Sequence, residues 1–209
     1  MSRELLPGTP GVPSDSSDSL PLHLEGTRAP IVWGVVFLVL IEATLLCLWA
    51  VSYLYLRMGV ESWPPPGVAR PGLLWPTIGQ LLLLLSPMPI WIALRSARDP
   101  ASDDAPPRMI PIAMLLASGY LALKAWEYWE KDYLWTSHAY GSLDWSMSAY
   151  AVFHVIVVLL AGAVMWAFST RGELRERSRA GLQALLIYWV FVALGSLLFF
   201  GTQYLVPIL

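Results

Sequence analysis

Three groups of residues in this 209-residue chain could do chemistry, and each sits inside or at the end of an apolar run. Glu42 is the one charged residue between Ile31 and Leu56. At ~1.5 Å per helical residue it lies about 17 Å from the start of that run, near the middle of a bilayer's hydrocarbon core. A carboxylate at that depth costs at least ~2.5–3.5 kcal/mol unless it is partnered or protonated. Such acids either serve a proton or substrate path or act as polar glue between helices. His154 lies in another apolar run, and the same rise puts it roughly 14–18 Å deep. Two polar groups at matching depth on different helices satisfy one another, so the sequence predicts a hydrogen bond between Glu42 and His154. Lys124 and Glu127 stand three residues apart, and Lys131 follows Glu127 by four. That spacing brings opposite charges together on one helix face. It predicts an ion-pair ladder at the membrane interface with its lysine snorkelling towards water, a lipid-headgroup or substrate contact being the sharper alternative.

Metal chemistry is poorly supplied. There are three histidines (His23, His138 and His154) and one cysteine, Cys47. One cysteine allows no disulfide within the chain and no multi-cysteine metal site. No second histidine shares the depth of His154, which argues against haem or copper ligation by this chain.

The elements that must position these residues are membrane helices. The chain is 56% hydrophobic and 13% charged, where a soluble domain carries roughly a quarter charged residues. Five apolar stretches, about 31–57, 73–95, 109–131, 144–169 and 181–207, are each long enough to cross a core needing about 20 helical residues. The expected fold is therefore an all-α integral membrane protein of five transmembrane helices. Pro87 and Pro89 predict a kink in the second, tolerable because neighbouring helices satisfy the freed carbonyls. Residues 1–30, rich in Pro, Ser, Asp and Gly, lack the apolar core of a secretory signal and read as a flexible tail before a membrane domain over 31–209. A formal charge of −2 gives no argument for nucleic acid as a partner.

Orientation follows from basic residues. Arg3, Arg28, Arg95, Arg98, Arg108, Arg171, Arg175, Arg177 and Arg179 fall on one side, against Arg57, Arg70 and Lys131 on the other. Basic loops stay in the cytoplasm, which predicts a cytoplasmic N-terminus and a C-terminus on the outer, periplasmic side. Trp126, Trp129, Trp135 and Trp145 then gather at the outer interface, where indole rings prefer to sit. Between the first two helices, Trp63-Pro64-Pro65-Pro66-Gly67 makes a stiff connector, because consecutive prolines lock an extended backbone.

Several of these residues fall in an order that resembles subunit III of cytochrome c oxidase, of the haem-copper oxidase subunit III family. In that family a helix opening Trp-Gly carries a mid-membrane Glu and ends before a Trp-Pro-Pro-x-Gly loop. Trp33-Gly34, Glu42 and Trp63-Pro64-Pro65-Pro66-Gly67 follow that order. Leu123-Lys124-Ala125-Trp126-Glu127-Tyr128 is similar to the family's Leu-Gln-Ala-x-Glu-Tyr, and Tyr140-Gly141-Ser142 to its Tyr-Gly-Ser turn. His154-Val155 matches the end of Phe-His-Gly-x-His-Val, and Tyr188-Trp189-Val190-Phe191-Val192 the opening of the last helix. Ala151 replaces the first His of the fourth-helix pattern; Val190 and Ala193 replace the last helix's His and Asp; Lys124 replaces a Gln. The chain starts where the family's third helix would, so the resemblance implies a divergent five-helix form.

The resemblance implies a non-catalytic subunit of a haem-copper terminal oxidase in the bacterial inner membrane, with no cofactor bound by this chain. Haem and copper then belong to the catalytic subunit I, beside which this chain packs with the other oxidase subunits. Structural phospholipids are implied too, with Glu42 and His154 supporting proton uptake. A subunit III-like partner of nitric oxide reductase is the alternative within the family. Outside it, a small transporter or proton channel could use Glu42 and His154 as a relay, but no internal repeat is evident. An intramembrane hydrolase would need a nucleophile beside His154, and no Gly-x-Ser-x-Gly occurs.

Overall fold

Length and apolarity decide the local structure, and a few residues decide where each helix begins and ends. In the computed structural model, residues 29–96, 105–171 and 178–208 are described, and the tail expected up to residue 28 lies outside them. Helix α1 (Pro30–Met58) opens on a proline, whose missing N–H is no loss at that position, and closes on Gly59. The second span is two helices, α2 (Leu74–Leu85) and α3 (Pro87–Ser96), meeting at Ser86. Pro87 and Pro89 cannot donate to the turn behind them, so the ladder breaks where α3 begins. Helix α4 covers Ala105–Glu130, α5 Ala139–Thr170 and α6 Ser178–Phe200. All the regular structure of the described residues is helical, and five spans are long and apolar enough to cross a membrane.

Two helix ends shape the site. Helix α5 starts five residues before the apolar run suggested, because His138 Nδ1 accepts the Gly141 N–H at 2.8 Å and caps it. Gly141 is needed for this entry: a Cβ there would meet the Leu134 carbonyl oxygen at 2.8 Å. The early start places Asp144 inside the helix. Helix α6 runs on into a π-helical turn, Gly201–Leu205, whose Thr202, Gln203 and Tyr204 are all buried. Such wide turns shift side chains relative to an α-helix and recur at functional sites.

The bundle is built around α6, which touches α1, α2, α3 and α5; α4 packs on α2, α3 and α5. The main core joins Leu83, Ile90, Ile110, Val155, Leu182 and Trp189 from five helices. A second core, with Leu46, Tyr53, Tyr140, Met147 and Phe199, ties α1 to α5 and α6. Helix α1 is peripheral: Phe37, Leu40, Ile41, Leu48 and Val51 on its far side are largely exposed.

Candidate functional site

Glu42 meets two partners from one turn of α5. The Tyr150 hydroxyl donates to Glu42 Oε2 at 2.6 Å. His154 Nε2 lies 3.3 Å from the same oxygen, and its Nδ1 lies 2.8 Å from the Tyr150 carbonyl. A carbonyl oxygen only accepts, so that contact assigns a proton to Nδ1. Nε2 then faces Glu42 either as the acceptor of a carboxyl proton or, in imidazolium, as a donor to carboxylate. In either arrangement one proton lies between Glu42 and His154. The His154 side chain is 6% exposed and that of Glu42 21%. The contacts with His154 and Tyr150 partner an acid whose isolated charge would be expensive in an apolar surrounding. The Tyr150 ring packs 4.1 Å from the His154 ring and the Tyr188 ring lies 6.3 Å away, holding the imidazole in place.

A second polar cluster lies at the end of the bundle that carries the α4–α5 connection. Lys124 Nζ donates to Glu127 Oε2 at 3.0 Å and to the Tyr204 hydroxyl at 2.6 Å, and Tyr204 donates to Glu127 Oε1. Lys131 bridges Asp144 and lies 3.6 Å from Glu127. Asp144 also accepts from the Tyr133 hydroxyl at 2.9 Å and from Gln203 Nε2 at 3.1 Å. Gln203 further reaches the Asp144 carbonyl and Ser148 Oγ, both at 2.9 Å. The result alternates two lysines and two carboxylates and is closed by neutral donors, the arrangement that lets buried charges coexist. Burial, and then the Asp144 carboxylate, push the Tyr133 phenol far above its ordinary value, so it remains a donor.

Lys124 departs from expectation. Its spacing to Glu127 suggested a lysine snorkelling to water, yet Lys124 is 7% exposed. The π-helical turn offers Tyr204 inside the bundle, and the amine turns inward to two oxygen partners. Between the two clusters, Ser196 Oγ donates to Gln80 Oε1 and lies 3.0 Å from both it and the Ala193 carbonyl, to which Gln80 Nε2 donates at 3.3 Å.

The remaining motif residues divide into core, connector and surface. Trp189 is fully buried and donates to Ser86 Oγ at 2.8 Å, pinning α6 to the break in the second span. Trp63 packs edge-on against Tyr53 and Tyr140, with centroids 5.3 and 5.2 Å away. Pro64 beside it is buried, joined by a cis peptide, while Pro65 is half-buried. Gly67 closes the connector at a φ of +89°, a conformation that favours glycine. Tyr128 lies on Trp145 at 4.7 Å. Trp33 is 55% exposed on α1.

Sequence reasoning missed Tyr150, Asp144, Gln203, Tyr204, Gln80 and Ser196. A signal existed for the glutamines and Ser196: polar groups in an apolar span must find partners. Asp144 was obscured by placing the start of α5 too late, and Tyr150 by its ordinary place in aromatic packing.

Comparison with known proteins places this architecture. Residues 18–206 match the protein family described as cytochrome c oxidase subunit III. A relative, the cytochrome c oxidase subunit 3 of Synechocystis sp., is 24% identical over 176 residues, which is 83% of this chain and 75% of that protein.

Proposed function

Because the chain belongs to the cytochrome c oxidase subunit III family, we propose that it is the subunit III-like component of a haem-copper terminal oxidase in a bacterial inner membrane. It packs beside the catalytic subunit I, which carries the haem and copper. Its N-terminus lies in the cytoplasm and its C-terminus outside, as the distribution of arginine supports. The exposed apolar side of α1 is the surface that lipid and neighbouring subunits cover.

The observation that carries the reading of function is the Glu42–His154 pair with Tyr150 as its clamp. A pair that shares one proton accepts a second, or gives up its one, at the cost of becoming charged in low dielectric. It therefore stores a proton only when a neighbouring charge compensates. That suits a subunit which does no redox chemistry and supports proton uptake by its partner. Phospholipid on α1 stabilises the assembly.

Affinity purification of the full-length chain from its native membrane tests this reading. Haem absorbance and a haem-copper subunit I should copurify with it. Recovery with a nitric oxide reductase would move it to the alternative within the family, and a haem-free protein without an oxidase partner would overturn the assignment. In the purified complex, Glu42→Gln should keep the haem content and slow proton-coupled turnover.

A further inference from the structure

The two polar clusters are separated by gaps in direct hydrogen bonding, and each gap coincides with a small cavity. The first, of about 10 Å³, is lined by Tyr150, Ala151, His154, Ser196 and Phe199 among others. The second, also of about 10 Å³, is lined by Gln80, Lys124, Gln203, Tyr204, Ser196 and Ala151. One water needs roughly 10–15 Å³ of such space and two to four polar partners. Both conditions are met at the lower limit of size. Apolar cavities stay dry, but the first has the Tyr150 and Ser196 hydroxyls in its wall, and the second has six polar side chains. His154 spends both ring nitrogens on Glu42 and the Tyr150 carbonyl.

The donor and acceptor inventory leaves capacity for those waters. Lys124 uses two of its three N–H groups, on Glu127 and Tyr204. Ser196 has one hydroxyl proton, directed to Gln80 and the Ala193 carbonyl, so both its lone pairs remain open. Ser196 and Ala151 line both cavities, which therefore abut across one turn of α5 and one of α6. Ala151 and Gly195 are small, and larger side chains there would fill the space.

We propose that each cavity holds one water, and that the two waters join Glu42–His154 to the Lys124–Tyr204–Glu127 cluster as a proton path through this chain. The path runs from Glu42 to the end of the bundle carrying Lys131, where the Glu127 side chain is 21% exposed. Solvent first protonates the Glu127 carboxylate. Lys124 passes a proton to the second water and then takes the Glu127 proton across their 3.0 Å bond, which restores the ammonium and the carboxylate. The second water gives a proton to a Ser196 lone pair as the Ser196 hydroxyl turns its own proton from Gln80 to the first water. The first water gives one to the Tyr150 oxygen as Tyr150 gives its own to Glu42. Every hop breaks one O–H or N–H bond and forms another; no electron changes partners between molecules. This path does not depend on the identity of the neighbouring subunit.

The test uses the full-length chain in lipid nanodiscs. A density map fine enough to show ordered water should contain one peak in each cavity. After transfer to deuterated buffer, the infrared bands of Glu42 and His154 should exchange at least about tenfold more slowly in Ala151→Leu than in the parent. That factor corresponds to ~1.4 kcal/mol of added barrier. Ser196→Ala, which removes the shared hydroxyl without adding bulk, should slow exchange too and stands alone if Ala151→Leu does not fold. Two empty cavities would overturn the proposal. So would exchange at the parent rate in a folded Ala151→Leu or in Ser196→Ala, because Glu42 would then have another route to water.

Discussion

Replacing Lys124 with methionine removes the centre of the buried charge cluster while keeping a flexible stem of similar length. Two contacts disappear, the 3.0 Å bond to Glu127 and the 2.6 Å bond to Tyr204. Removing one partner of a buried ion pair costs ~3–5 kcal/mol, mostly because the other charge is left uncompensated. Here Glu127 is not abandoned. Lys131 stays 3.6 Å away, Tyr204 still donates to it, and its side chain is 21% exposed. The lysine's own burial cost is recovered as well. These effects place the loss near the low end, about 3 kcal/mol. For a chain of this length 1 kcal/mol moves Tm by ~2–4 °C, so Tm should fall by ~6–12 °C.

The assay is thermal unfolding of the full-length protein in nanodiscs, followed by the fluorescence of its 11 tryptophans. Adding Glu127→Gln discriminates between mechanisms. If an uncompensated carboxylate is the cause, the double variant should recover ~1–2 kcal/mol relative to the sum of the two single losses. A Lys124→Met protein melting within about 2 °C of the parent would refute the reasoning, given ~2–4 °C per kcal/mol. Strict additivity of the pair would refute it equally, showing that Lys124 and Glu127 act independently.

Two further outcomes follow from single contacts. Tyr150→Phe deletes the 2.6 Å bond to Glu42 and should lower stability by ~1–3 kcal/mol; it should also shift the Glu42 carboxyl band in the infrared, and an unmoved band would remove Tyr150 from the site. Gly67→Ala forces a Cβ into a backbone at φ +89° and should cost ~1–2 kcal/mol, read as a Tm lowered by a few degrees without loss of the Glu42 signal.

How much was legible in the sequence depended on whether a residue's neighbours were local or distant. Five spans could be read because the bilayer imposes a length and an apolarity that each segment must meet by itself. The Lys124–Glu127 pairing could be read because helical geometry fixes what lies three or four residues away. The depth of Glu42 and His154 could be estimated because helical rise is constant. Rotation about each helix axis could not: depth alone does not say which way a side chain faces. The 3.3 Å approach of His154 to Glu42 is set by how α5 packs on α1 and α6.

Sequence alone thus determined the membrane class, the number of spans, the polar residues at cost in the bilayer and, by ordered motifs, a family resemblance. Only the tertiary structure decided which polar groups meet. His138 capping drew Asp144 into α5, where it receives Lys131, Tyr133 and Gln203. The π-helical turn brought Tyr204 to Lys124, 80 residues away in the chain, and turned a lysine expected at the surface into a buried one. Each outcome rests on a helix end or a wide turn, where a change of one or two residues in register rotates a side chain to another face, and no spacing rule within one helix can anticipate what waits there on the next.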